Sequence, residues 1–262
     1  MKMMKKITGK CTAAALVLCI AFIYTGCGSG ESEAYETVAD EFAQIILEAD
    51  GYSAAYEAAL EEIGSCADGS ADADAVATVR ADIAAVISDM TQSYDSFETY
   101  EVTDEFASML EETGTDQTEF EYYALERLND LYEYIYDLQI MDSYLALIQE
   151  DGSSSVVYDD FVFMYEMNVS IQQYNNEYHY LTINYWFAAW DDEYVEYVQE
   201  KIYANLVSFT SSETSWEDDA DDVETRINAV LDMYSELVSE LSEYTGESQE
   251  RLYEMYSQLY GE

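Results

Sequence analysis

The chain has 262 residues, with 56 acidic side chains against nine basic ones and one histidine, a formal net charge of −47. That charge excludes nucleic-acid binding, where a basic patch supplies most of the affinity, and disfavours lying flat on an anionic membrane. Disorder is excluded for the body as well: 49% of residues are hydrophobic, 15% are aromatic and none is proline, which suits a packed body of long helices.

Residues 1–10 carry Lys2, Lys5, Lys6 and Lys10 and no acid; an apolar run from Ala13 to Tyr24 follows, then Thr25-Gly26-Cys27-Gly28-Ser29-Gly30. A basic start, a short apolar stretch and a small-residue cleavage site read as a secretory signal peptide over residues 1–26. The run falls short of the ~20 residues that a comfortable membrane span needs. The Thr-Gly-Cys ending resembles the lipobox of bacterial lipoproteins, with Tyr24 where that family prefers leucine. The resemblance implies a diacylglycerol on the Cys27 sulfur, Cys27 as the new N-terminus, export, and residence on the outer face of the cell membrane through the lipid anchor. Residues 27–33 then read as a flexible tether and 34–262 as one helical domain. Losing the four lysines of the signal takes the formal charge from −47 to −51 and leaves Arg80, Arg127, Lys201, Arg226 and Arg251 as the only cations. Cys11 and Cys19 leave with the signal, so Cys66 is the one remaining thiol and no internal disulfide is available.

Beyond the tether, apolar residues recur at steps of three and four, the helical signature. Val38, Phe42, Ile45, Ala49, Tyr52, Tyr56, Ala59 and Ile63 keep phase across Gly51 and predict one helix over about 32–64, with a loop at 67–73. Val76, Val79, Ile83, Val86, Met90, Tyr94 and Phe97 predict a second. Thr103, with Phe106 and Leu110 behind it, predicts a capped short helix to Glu112. The seam Phe120, Ala124, Leu128, Leu131, Ile135, Leu138, Met141, Leu145, Ile148 predicts a long helix that stops at Asp151-Gly152. Residues 154–190 fit two periods. A helix would align Val157, Phe161, Met164 and Ile171; a β-hairpin would alternate from Phe161 to Ile171 and turn near Asn175-Asn176. The lack of Gly or Pro over this stretch favours the helix. Helices over about 191–209 and through the seam Ile227, Val230, Tyr234, Leu237, Leu241, Tyr244 follow, with a break at Gly246 and a terminal amphipathic turn or two. The fold class is all-α, an antiparallel bundle of about five or six long helices.

No catalytic, cofactor or metal motif stands out. His179 is the only histidine and Asn176 precedes it at the spacing where a di-metal bundle needs glutamate, so we expect a rim or interface histidine. The acids Asp68, Asp72 and Asp74, Asp191 to Glu193, and Glu217 to Asp222 fit no calcium loop; the last group reads as a solvated helix start, with a weak cation site as its alternative. Trp186 and Trp190 lie four apart with Tyr185 and Tyr194 close by, an aromatic strip that packs inward as core or, if exposed, contacts a ligand or partner. Most of the 26 tyrosines fit rim positions, ring buried and hydroxyl wet. The sequence therefore reads as a non-enzymatic, lipid-anchored interaction or scaffold protein of the cell envelope without cofactor. Its unknown partner is expected to be basic. The rival is a small-ligand or cation module using Tyr185, Trp186 and Trp190 in the region 174–190.

Overall fold

A computed structural model describes residues 30–97, 102–152, 156–189, 192–202, 220–244, 246 and 248–261. Cys27 and the signal peptide, Trp190, and the acids 217–219 lie outside the described residues. The chain is all-α: α1 (Gly30–Gly64), α2 (Ala73–Phe97), α3 (Asp104–Thr113), α4 (Gln117–Asp151), α5 (Val156–Ala189), α6 (Asp192–Ile202), α7 (Ala220–Glu243) and α8 (Gln249–Tyr260). The hairpin alternative for 154–190 is overturned, because α5 runs unbroken through Asn175-Asn176. Its aromatic and β-branched residues fill the spaces around α1 and α4 on several sides, so burial overrides their preference for strands.

The helix ends follow local chemistry. Thr103 caps α3, its hydroxyl accepting from the Phe106 amide at 3.2 Å. Gly114 closes it with φ of 70°, a left-handed conformation that glycine adopts without strain. Asp116 caps α4 through the Glu119 amide at 3.0 Å, and Asp72 accepts from the Ala75 amide at 2.9 Å at the start of α2.

α1 and α4 form the centre. α1 packs against α2, α3, α4, α5 and α6, and α4 against α1, α2, α3, α5 and α8. Pairings along the helices give their directions. Phe42 meets Phe120 while Tyr56 meets Tyr134, so α1 and α4 run parallel. Arg80 meets Asp142 and Tyr94 meets Tyr132, so α2 opposes α4; Phe120 meets Trp186 and Tyr144 meets Phe161, so α5 opposes it too. The bundle is thus mixed, not wholly antiparallel as expected. The reason is the α2–α3 excursion, which returns the chain to the end where α1 began.

Two apolar cores are stacked along this centre. One joins Val38, Phe42 and Ile46 of α1 to Phe106, Leu110, Phe120, Ile183, Trp186 and Val198. The other joins Tyr56, Leu60 and Ile63 to Val76, Ile83, Leu131, Leu138, Leu145 and Phe161. Between them lies a layer of buried polar side chains: Asp50 and Ser53 on α1, Arg127 on α4, and Gln172 and His179 on α5. The α1 seam shifts by one residue at this level. Ile46, Asp50 and Ser53 are buried where the periodicity selected Ile45, Ala49 and Tyr52, because neighbours cover α1 on several sides and its apolar residues need not all face one way.

α7 packs on α5 through Val230 against Tyr180 and Leu181. The segment joining it to α8 is latched to α5. The Asp160 carboxylate accepts from the Tyr244 hydroxyl, the Ser248 hydroxyl and the Ser248 amide, the last at 2.9 Å. A Cβ at Gly246 would lie 2.7 Å from that carboxylate, so glycine is required for the close approach.

Candidate functional site

The polar layer is the most chemically loaded place among the described residues. Arg127 is its hub. Its guanidinium donates to Asp130 at 2.9 Å and to Glu126 at 3.0 Å, and lies over the rings of Tyr123 and Tyr178 at 5.4 and 5.8 Å. It also meets His179 Nδ1 at 3.0 Å. A guanidinium only donates, so Nδ1 must accept, and the neutral imidazole carries its proton on Nε2. Burial, reinforced by the adjacent Arg127 charge, pushes the His179 pKa well below its ordinary value. This is not the rim histidine expected: it is 4% exposed and stacks on Tyr123.

Beside this pair, Gln172 donates to Ser53 at 2.7 Å, Ser53 donates to Asn176 at 2.6 Å, and Asn176 donates to Glu57. These residues fix the register of α1, α4 and α5 against one another. A cavity of about 10 Å³ opens among Ser53, Arg127, Asp130, Tyr134, Asn176 and His179. That is room for about one water. Ser53 is held by the side-chain amides of Gln172 and Asn176. Among the described residues no group of three or more His, Cys, Asp or Glu could hold a metal ion.

Acids on one flank of α4 rise out of this layer. Glu126, Asp130, Glu133 and Asp137 follow at steps of four, three and four, half-buried. Burial raises the Asp130 pKa to about 6 despite Arg127, with Glu126 and Glu133 adding to the effect. Burial raises Asp137 to about 7; the hydrogen bond from Tyr56 opposes this and Glu133 adds to it.

Comparison with models of known protein families, with curated proteins and with solved structures finds no match. The reading of the site therefore rests on its residues alone.

Of the aromatic residues singled out from the sequence, Trp186 and Tyr194 share the core around Phe42, whereas Tyr185 points away from it and Trp190 lies outside the described residues. Trp186 is 6% exposed and packs in the upper core, 5.5 Å from Phe42 and 6.2 Å from Tyr123. Its neighbour Tyr185 is 42% exposed, and Tyr194 is buried against Tyr35. Tyrosines outside the predicted seams are core residues too, among them Tyr123 and Tyr144, and Tyr56 is buried as its place on the first seam predicts. Cys66 is a buried free thiol that burial pushes up in pKa. Sequence reasoning missed the Arg127 layer. Its signal was present: Arg127 is one of only five cations after residue 26, and it stands beside Leu128 on the seam. The structure turns Arg127 inward and leaves Leu128 half-buried.

Proposed function

We propose that the protein is a lipid-anchored component of the cell envelope whose helical body binds or scaffolds another envelope component without catalysing a reaction. The observation that carries this reading is how the aromatic residues are divided. Trp186 and Phe187 are packed into the core and the polar-layer cavity has room for about one water, whereas Tyr122, Tyr132, Tyr136 and Tyr185 stand 42–67% exposed. Contact chemistry is on the outside, where a macromolecule reaches it, and not in a pocket sized for a small ligand. In this reading the anchor is the lipid on Cys27; no helix among the described residues is long and apolar enough to cross a membrane.

Two measurements test it. Cys27→Ala is expected to move the protein from the membrane fraction to the soluble or secreted one; a variant that stays firmly bound overturns the anchor. Photo-crosslinking from Tyr122 and Tyr185 in intact cells is expected to capture a defined envelope protein. A small ligand that binds the purified chain and is displaced by substitution in 174–190 would instead favour the ligand module.

A further inference from the structure

The outer face of α4 carries an apolar stripe with the spacing of a helix–helix seam. Tyr122, Leu125, Asn129, Tyr132 and Tyr136 follow at steps of three, four, three and four. Tyr122 is 67% exposed, Leu125 and Tyr132 are each 52% exposed, and Tyr136 is 46% exposed although it also meets Tyr256. On a helix these positions align in one narrow band, the arrangement in which one helix receives another. Among the described residues the exposed large apolar side chains are fewer on each other helix: Leu231, Met233 and Val238 on α7, at 37–43%, Tyr253 and Leu259 on α8, and Tyr185 on α5.

The borders of the band select its occupant. At 100° per residue, Glu126 and Glu133 fall beside the band, with Asp130 and Asp137 behind them; Glu121 lies on the other side. Arg127 is the cation of this stretch, and it is buried beneath, paired with Glu126 and Asp130. Burial is the main cause of the raised pKa values of Asp130 and Asp137, and the neighbouring carboxylates add to it, Glu126 and Glu133 at Asp130 and Glu133 at Asp137. A second copy of the chain would bring the same acids against themselves, on a molecule of net charge −47. An anionic lipid surface would be repelled in the same way.

Resting on the envelope-scaffold reading, we infer that the outer face of α4 receives a basic amphipathic helix of a partner protein. Its apolar side lies on Tyr122, Leu125 and Tyr132, and its lysines or arginines face Glu121, Glu126 and Glu133. Aromatic rings flanked by carboxylates suit such a helix twice over, through the ring faces and through the charges.

The test uses the full chain in detergent micelles and a labelled synthetic helix of about 20 residues, leucine on its seam and lysine beside it. Anisotropy is expected to give saturable one-to-one binding that weakens with salt, and the peptide with glutamate in place of lysine should not bind. Combining Tyr122→Ser, Leu125→Ser and Tyr132→Ser leaves the net charge unchanged and should weaken binding about tenfold or more, as loss of interface anchors does. Glu121→Gln with Glu133→Gln should weaken it less and flatten its salt dependence, whereas Leu231→Ser with Val238→Ser on α7 should leave it unchanged. Circular dichroism should show the same helix content throughout, because the substituted apolar side chains are exposed and Gln keeps the shape of Glu at the half-buried positions 121 and 133. Equal binding by the α4 triple variant overturns the inference in favour of diffuse charge attraction. A dimer of the chain in sedimentation that the triple variant disperses overturns it in favour of a second copy. Neither result bears on the anchor, which Cys27→Ala reports separately.

Discussion

α4 and α7 are both long helices, yet they are held in opposite ways. α4 has neighbours on most sides and buries polar as well as apolar residues, so its inward face cannot be read as a single clean stripe. α7 has a regular amphipathic pattern and rests on α5, with Val223 and Val230 as its buried apolar residues and Leu231, Met233 and Val238 exposed. A well-separated pattern marks the peripheral helix, and a blurred one marks the centre. Stability should follow the same division: α7 opens first, and the α1–α4–α5 centre opens with the whole fold.

The largest effect expected is at the centre. Phe42 is fully buried among Phe120, Tyr123 and Trp186, so Phe42→Ala should cost about 4 kcal/mol in urea denaturation. Leu231→Ala on α7 should change stability by less than about 0.5 kcal/mol. If the two substitutions cost the same, the division between centre and periphery is wrong.

Arg127→Met is expected to cost about 3 kcal/mol, because Glu126 and Asp130 keep half-buried charges without their cation and the His179 acceptor loses its donor. Adding His179→Leu should recover part of this, if the penalty comes from unmet polar groups and not from lost volume.

The acid ladder of α4 sets a pH dependence. Asp130 and Asp137 titrate near 6 and 7 in the folded protein, against about 3.9 unfolded. Between those values the folded state holds protons that the unfolded state has released, so stability rises as the pH falls from 8 to 5. The gain should be on the order of 2 kcal/mol after allowing for screening at these half-buried positions, and Asp137→Asn should remove much of it. Asp160 acts in the opposite direction. Its hydrogen bonds from Ser248 and Tyr244 outweigh burial and hold its pKa below the ordinary value. Its contribution is present above about pH 4 and is lost as the pH falls through the folded value. Denaturation should therefore give higher stability at pH 5 than at pH 8, and Asp160→Asn should remove the opposing loss that Asp160 contributes below about pH 4.

A smaller effect than those at the centre is local. Asp160→Asn should cost about 1 kcal/mol and speed amide exchange at the start of α8, while the amides of α4 around Leu138 keep their protection.

Much of this fold is legible in the sequence where a helix has one buried face. The Thr103 cap, the stop at Asp151-Gly152 and the second seam each rest on chemistry local to a few residues. The polar layer was not legible, because nothing local says that Ser53, Arg127, Gln172, Asn176 and His179, up to 126 positions apart, meet at one level. Periodicity ranks residues by polarity and so placed Leu128 inside instead of Arg127. The exposed stripe on α4 was hidden for the same reason: Tyr122, Leu125 and Tyr132 resemble core residues until their neighbours are known.

Each of the five cations after residue 26 lies within a helix: Arg80 in α2, Arg127 in α4, Lys201 in α6, Arg226 in α7 and Arg251 in α8. Each also has an acidic partner, namely Asp142, Asp130, Asp40, Glu177 and Asp151. A trypsin-like protease needs lysine or arginine on a stretch of chain it can draw out into extended form. Beyond residue 26 the segments between these helices carry no lysine or arginine, and the bonds such an enzyme could cut there lie within helices. Digestion by such enzymes then becomes a gauge of helix opening, with Arg226 on the peripheral α7 cut early and Arg127 cut only when the centre comes apart.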